Sequence, residues 1–270
     1  MSESEIRALA QRLNMSYDEV KKRVLEAAST KFATITDEKK RMTQAFIYTR
    51  AKLLAKPPGK DVKVIVYGLR EPINKASRKV ARVYVIIQRE NLTKAVVVLA
   101  DDLASEYKNA NLFTQYTINV NDIGKEMLMA NPMTRFEGGK QVSPEKVLEI
   151  LKMDQSHFME FKINEAPNYL STTKDSKYVD EFDLRATTGI ITRANFKKND
   201  KGEIIFSVYE LADPEDPEQI ITAWVPPPLF KYGEGSLLYM YGTLVMTKDN
   251  IVQFQVQGII PKEAVPLTEV

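Results

Sequence analysis

Two stretches of this 270-residue chain carry the same spacing of short apolar runs, and that repeat leaves few folds open. In residues 189–258 five runs rich in Ile, Val, Phe, Tyr and Trp are separated by NDKG, DPEDP, YGEG and TKDN. Such runs predict strands, because β-branched and aromatic side chains fit a pleated surface while Asn, Asp, Gly and Pro interrupt it. Counting from Gly189, the next runs begin at Ile204, Ile220, Leu237 and Ile251, offsets of 15, 31, 48 and 62. Counting from Gly68, they begin at Val83, Ala95, Gln115 and Met127, offsets of 15, 27, 47 and 59. In both copies the longest gap lies between the third and fourth runs, with room for a short helix or an irregular crossing. The expectation is two matching five-stranded units.

The flanking sequence predicts helices. In residues 2–56, Ser2-x-x-Glu5 and Ser16-x-x-Glu19 have the form of capping boxes, and Thr36 is placed to cap a third helix. Ile6, Leu9, Ala10, Leu13, Val20, Val24, Leu25, Met42, Ala45, Phe46 and Leu53 recur at helical spacing and predict a small three-helix core. ALAQRLNMSYDEVKKRV also has the outline of a helix-turn-helix carrying Lys21, Lys22 and Arg23, with a docking or spacer module as the other reading. Pro57, Pro58 and Gly59 end this part. Ser143 and Pro144 open a further helix that plugs the first barrel or bridges the two, and NEAPNYLSTTKDSK reads as a linker. The expected divisions are a helical module at 1–58, a first barrel at 59–139, helix and linker at 140–180, and a second barrel at 181–270. The fold class is mainly β with an α-helical N-terminal module and two five-stranded barrels.

Composition narrows the chemistry. Apolar content of 44% and charged content of 27% belong to a globular chain. No apolar run nears the ~18 residues of a membrane span, and MSESEIRALA lacks a signal peptide's regions, so no membrane is expected and the location is expected to be cytoplasmic. With no Cys and one His, thiolate nucleophiles, disulfides and Cys/His zinc sites are ruled out. His157 reads as an exposed or capping residue, and Asp101-Asp102 as a helix start. Neither GxxxxGK[ST] nor GxGxxG occurs. The expectation is a protein without catalysis, metal or cofactor.

Alternation chooses which side chains face outward. In the second strand of the first unit, Ala81, Val83, Val85 and Ile87 form the inner face, which leaves Arg82 beside Tyr84 on the other. The alternative for Tyr84 is packing under the N-terminal helices. In the second unit, Ile221, Ala223 and Val225 point inward and Ile220, Thr222 and Trp224 outward; Phe206 and Val208 are expected inward and Tyr209 outward. Trp224 is either a stacking platform or an interface anchor. Lys75, Arg78, Lys79 and Arg82 cluster around the first hairpin, and NFKKNDKG brings Phe196, Lys197, Lys198 and Lys201 to the corresponding hairpin of the second. Basic loops beside an aromatic sheet face suit a phosphate backbone with stacked bases.

Charge is uneven. Residues 1–60 hold 13 basic and 7 acidic side chains, and residues 181–270 hold 8 and 13. This places a polyanion site first in the N-terminal half, with DPEDPEQ repelling phosphate from one edge of the second barrel.

A five-stranded barrel with a helix-sized insertion after its third strand, a Gly (68 or 189) in its first, and YGEGSLLYMYGTL leading into its fourth is similar to an OB-fold. With LNMSYDEVKKRV in a helical N-terminal segment, the tandem arrangement resembles archaeal replication protein A-type single-strand DNA-binding proteins. The resemblance implies non-catalytic binding of single-stranded DNA in replication, recombination or repair. The residues it points to are Lys75, Arg78, Lys79, Arg82 and Tyr84, then Phe196, Lys197, Lys198, Tyr209 and Trp224. The alternatives are an RNA-binding tandem OB protein and an assembly adaptor whose acidic second barrel meets a protein partner. The Cys-rich zinc element of some relatives has no counterpart here.

Overall fold

Three helices precede the sheets: α1 (Glu3–Leu13), α2 (Tyr17–Thr30) and α3 (Glu38–Leu54). The computed structural model describes residues 3–13, 15–54, 59–75, 78–88, 91–166, 182–246 and 252–268. Ser16 caps α2 as expected, its hydroxyl accepting from the Glu19 amide at 3.1 Å. The α3 cap is Asp37 and not Thr36, since the Asp37 carboxylate accepts from the Lys40 amide at 2.9 Å and a carboxylate favours a helix N-terminus. Ile6, Leu9, Ala10, Val20, Val24, Ala45, Phe46 and Leu53 form the helical core. Leu25 was expected among them and is exposed. Ser2 lies outside the described residues.

Two closed barrels follow. The first is built from β1 (Lys60–Lys75), β2 (Arg78–Gln88), β3 (Leu92–Ala100), β4 (Thr114–Asp122) and β5 (Met127–Ala130), in the order β1-β2-β3-β5-β4 closing on β1. The β3–β5 pair is parallel, and the short β6 (Lys140–Gln141) extends β4. After α4 (Pro144–Met153) and β7 (Phe158–Glu160), the second barrel uses β8 (Leu184–Lys198), β9 (Ile204–Ala212), β10 (Ile220–Trp224), β11 (Leu237–Met246) and β12 (Val252–Glu263). Its order, β8-β9-β10-β12-β11 closing on β8, is the same, again with a parallel β10–β12 pair. These are OB-type barrels. The gap after the third strand holds a 3-10 helix in each, Asp101–Asn109 and Pro227–Leu229. Asp101 begins the first of these at φ 53° without a side-chain cap bond. Of the expected linker, 164–177, the residues from 167 on lie outside the described residues.

The barrels are packed against each other. Ile65 and Tyr67 of β1, Tyr84 and Ile86 of β2, and Val96 and Val98 of β3 point away from the first barrel's interior, yet all are buried. They share one apolar cluster with Val147 and Leu151 of α4, Phe158 of β7, Leu184 and Ala186 of β8, and Tyr241 of β11. So α4 bridges the barrels rather than plugging the first, and Tyr84 lies under the second barrel's elements, not under the N-terminal helices. The Tyr241 hydroxyl donates to the Tyr67 carbonyl across the seam at 2.5 Å. A Cβ on Gly68 would stand 3.1 Å from the Gln257 Cβ, so glycine there sets how closely the barrels approach.

Polar contacts hold the remaining corners. The Arg23 guanidinium donates to the Pro132 carbonyl, and Arg135 pairs with Glu19 at 3.3 Å, tying α2 to the turn after β5. Where α4, β3 and β8 meet, Lys94 pairs with Asp154 at 2.9 Å and His157 Nδ1 lies 2.6 Å from Asp183. Among the described residues, no helix is long and apolar enough to cross a membrane.

Two outcomes follow from this packing. Gly258→Ala puts a methyl about 2.2 Å from the Tyr241 ring, so the variant is expected to lose about 1–3 kcal/mol in urea unfolding. The hydrogen bond to Asp183, then the charges of Asp154 and Asp183, raise the His157 pKa above its ordinary 6.5, against burial and Lys94. A raised folded-state pKa contributes stability in full below the unfolded value and loses it as pH rises through the folded value. The thermal midpoint of the native protein is therefore expected to fall across that window, and that of His157→Gln to stay flatter.

Candidate nucleic-acid interface

With its β1–β3 outer side covered, the first barrel leaves an open edge toward the β1–β2 hairpin, where the β2–β3 pairing ends at Val80 and Ala100. Leu69 turns into the core, so Arg70 points outward, directly opposite Arg82 on β2. Arg70 donates from its guanidinium to Oε1 of Gln255 on β12. Gln255 is paired in register with Trp224 of β10, and Trp224 with Val208 of β9. Side chains at paired positions share a face. Phe206, two residues before Val208, is on that face too, its ring edge-on to Trp224 at 4.2 Å and 81°. Opposite Phe206 on β8 is Lys197, exposed. Arg82, Arg70, Gln255, Trp224, Phe206 and Lys197 thus form one continuous path across the seam.

Electrostatics along the path are mixed but favour an anion at its open end. Arg193 faces Glu210 at 3.9 Å, so that part of β8 and β9 is neutral. At the β8–β9 turn the Glu203 carboxylate accepts from Asn199 at 3.1 Å and faces Lys108 of the first barrel at 3.9 Å. The Asn199 bond, then the charges of Lys108, Lys201 and Lys79, hold the Glu203 pKa below the usual carboxylate value. Three lysines from the two barrels, Lys79, Lys108 and Lys201, thus act on one carboxylate. The acidic loop Asp213–Gln219 follows the other end of β9. Six residues of strand at about 3.3 Å each separate it from Phe206.

The structure moves several expected residues. Tyr84 is fully buried in the seam and offers no ring to a ligand; its outward phase in β2 is correct, but a second barrel covers that phase. Tyr209 points inward, stacked on Phe230 at 4.7 Å and 18°, and accepts from the Tyr232 amide at 3.0 Å. Burial, ahead of any other cause, raises its phenol pKa. The phase of β9 is thereby the reverse of the expected one, which is why Phe206 is outward. Phe196 also turns in, edge-on to Phe230 at 5.8 Å, with the Lys198 ammonium over its ring at 5.2 Å. Arg82 is half-buried and Lys79 exposed. Lys75 and Arg78 pair as the last backbone pair of the β1–β2 hairpin, and their side chains lie outside the described part of the structure. Trp224 is outward and half-buried as expected, and its indole N–H is buried without a hydrogen-bond partner among the described residues.

Sequence reasoning missed Arg70, Gln255 and the outward Phe206. Arg70 was within reach: two residues past Gly68, it shares the phase of Arg82 once β1 is read by alternation. Gln255 carries no signal of its own, because its role depends on contact between strands 185 residues apart.

No family model matches the sequence, and no curated protein matches it. Among solved structures, the chain is similar to a deletion mutant of the single-stranded DNA binding protein from Thermus aquaticus, at 12% identity and a TM-score of 0.21, covering 79% of this chain and 97% of that one.

A stability control separates the face from the core. Phe206→Leu removes an outward ring and is expected to leave the thermal midpoint within a few degrees, whereas Tyr209→Leu empties a buried site and costs about 2–4 kcal/mol by chemical denaturation.

Proposed function

We propose that this protein binds single-stranded DNA without catalysis, along the path from Arg82 to Lys197. The observation that carries this reading is the join of Arg70 of one barrel to Gln255 of the other, beside the Trp224–Phe206 pair. Guanidinium and ammonium groups take phosphates, and half-buried rings take bases whose identity matters little to stacking. A duplex would hide its base faces from Trp224 and Phe206, so the aromatic pair favours unpaired strands. Lys79, Lys108 and Lys201 extend the basic surface beyond the rings, with Lys75, Arg78 and Lys198 as further basic residues of the same hairpins. A role in replication, recombination or repair fits a sequence-tolerant single-strand binder.

Trp224 is the sole tryptophan, so intrinsic fluorescence reports directly on the site. Titration with a ~20-nucleotide oligomer is expected to change that emission at low salt, with affinity falling as salt rises. Arg70→Ala and Lys197→Ala each flatten the salt slope by about 0.7, the share of one phosphate contact on a single strand. Lys146→Ala, on the exposed side of α4, leaves it unchanged. Salt-independent binding, or none, overturns the proposal; an RNA competitor that displaces DNA at equal length assigns the face to RNA.

A further inference from the structure

The corner where the barrels meet presents hydrogen-bond donors next to the aromatic pair. Arg70 has donors only, so the Gln255 atom that faces it is the carbonyl Oε1. That fixes the amide: its Oε1 is engaged, and the Nε2 group, with two N–H bonds, is turned away from Arg70. Gln255 is half-buried and in register with Trp224, which brings this amide to the edge of any base resting on the Trp224–Phe206 pair. The carboxylate on this side of β9, Glu210, is opposite Thr222, two positions along β10 from Trp224, and faces Arg193.

Resting on the single-strand reading above, we infer that Gln255, oriented by Arg70, makes this corner selective for a pyrimidine with a carbonyl oxygen rather than an amino group at its 4-position, thymine over cytosine. The two pyrimidines have the same ring size. They differ where thymine shows the O4 acceptor and cytosine the N4 amino group. Thymine O4 accepts from Nε2. Cytosine N4–H meets another donor, and the unpaired polar groups left in a partly desolvated corner weaken the complex. Arg70 acts here as a positioning residue for Gln255, in addition to its charge.

The test compares oligothymidylate with oligodeoxycytidylate of equal length on the full chain, by Trp224 emission or anisotropy at fixed salt. Native protein is expected to bind thymidylate roughly tenfold more tightly. Gln255→Glu keeps the shape and the Arg70 contact but turns an acceptor toward the base, so the preference is expected to reverse in favour of cytidylate. Its added charge weakens both oligomers alike and leaves the ratio readable. Native affinities within about twofold of each other, or an unchanged ratio in Gln255→Glu, overturn the inference while single-strand binding stands. Failure of both oligomers to bind native protein at low salt overturns the single-strand reading and this inference together.

Discussion

The burial of one apolar sheet face decides the rest of this molecule. Six outward side chains of β1, β2 and β3, from Ile65 to Val98, are too apolar to face water, and the chain covers them with α4, β7, β8 and β11. At ~25 cal/mol per Å2, a cluster holding Tyr67, Tyr84 and Tyr241 with several branched aliphatics outweighs the entropy of holding two barrels together. The Tyr241–Tyr67 hydrogen bond then fixes orientation within a contact that hydrophobic burial makes favourable but leaves undirected. Everything polar at the margin follows from that fixed orientation. Gly68 admits Gln257, and one turn of the pleat further along, Arg70 reaches Gln255.

The fold was legible because the run spacing that encodes it is local. Val83, Ala95, Gln115 and Met127 fall within or at the start of β2, β3, β4 and β5, and Ile204, Ile220 and Leu237 begin β9, β10 and β11. Both crossings after the third strand became short 3-10 helices. Side-chain direction was legible only where one face met water. In β10 the reading holds, with Ile221, Ala223 and Val225 inside and Ile220 exposed. In β2 both faces are buried, so a correct phase still led to the wrong environment for Tyr84. In β9 a polar tip misled it: Tyr209 looks like a surface residue, but its hydroxyl accepts the Tyr232 amide while its ring fills the core.

Charge counted along the sequence leaves out which cations are engaged within the fold. The excess of basic residues in the N-terminal 60 points to that half, yet Arg23 of that stretch is engaged, with Arg135 and Glu19, in seating α2 against the turn after β5. This contact supports the docking reading of the helical module, because the third cation of the proposed recognition helix is turned to the barrel. In the second barrel the net charge of residues 181–270 is carried largely by a loop at the far end of β9 from Phe206. A sum over sequence cannot separate ends of one strand that lie about 20 Å apart, twice the screening length at ordinary salt.

The open face is small because it is what the seam leaves over. Thr243, Gln257 and Tyr241 share the outward side of β11 and β12 but are buried, and exposure begins only at Gln255 and Trp224. An indole N–H without a partner among the described residues is uncommon, since most buried donors are satisfied, and such exceptions concentrate where a site answers to something other than stability. The same boundary explains why two barrels of one plan do not make two equal sites. The first barrel lends Arg70 and Arg82 from its rim after its broad face has been used for packing, and the second supplies the rings. Separating the barrels would therefore restore a sheet face to the first, but one lined by Tyr, Ile and Val rather than by cations, and would leave Trp224 without the guanidinium that orients its neighbour.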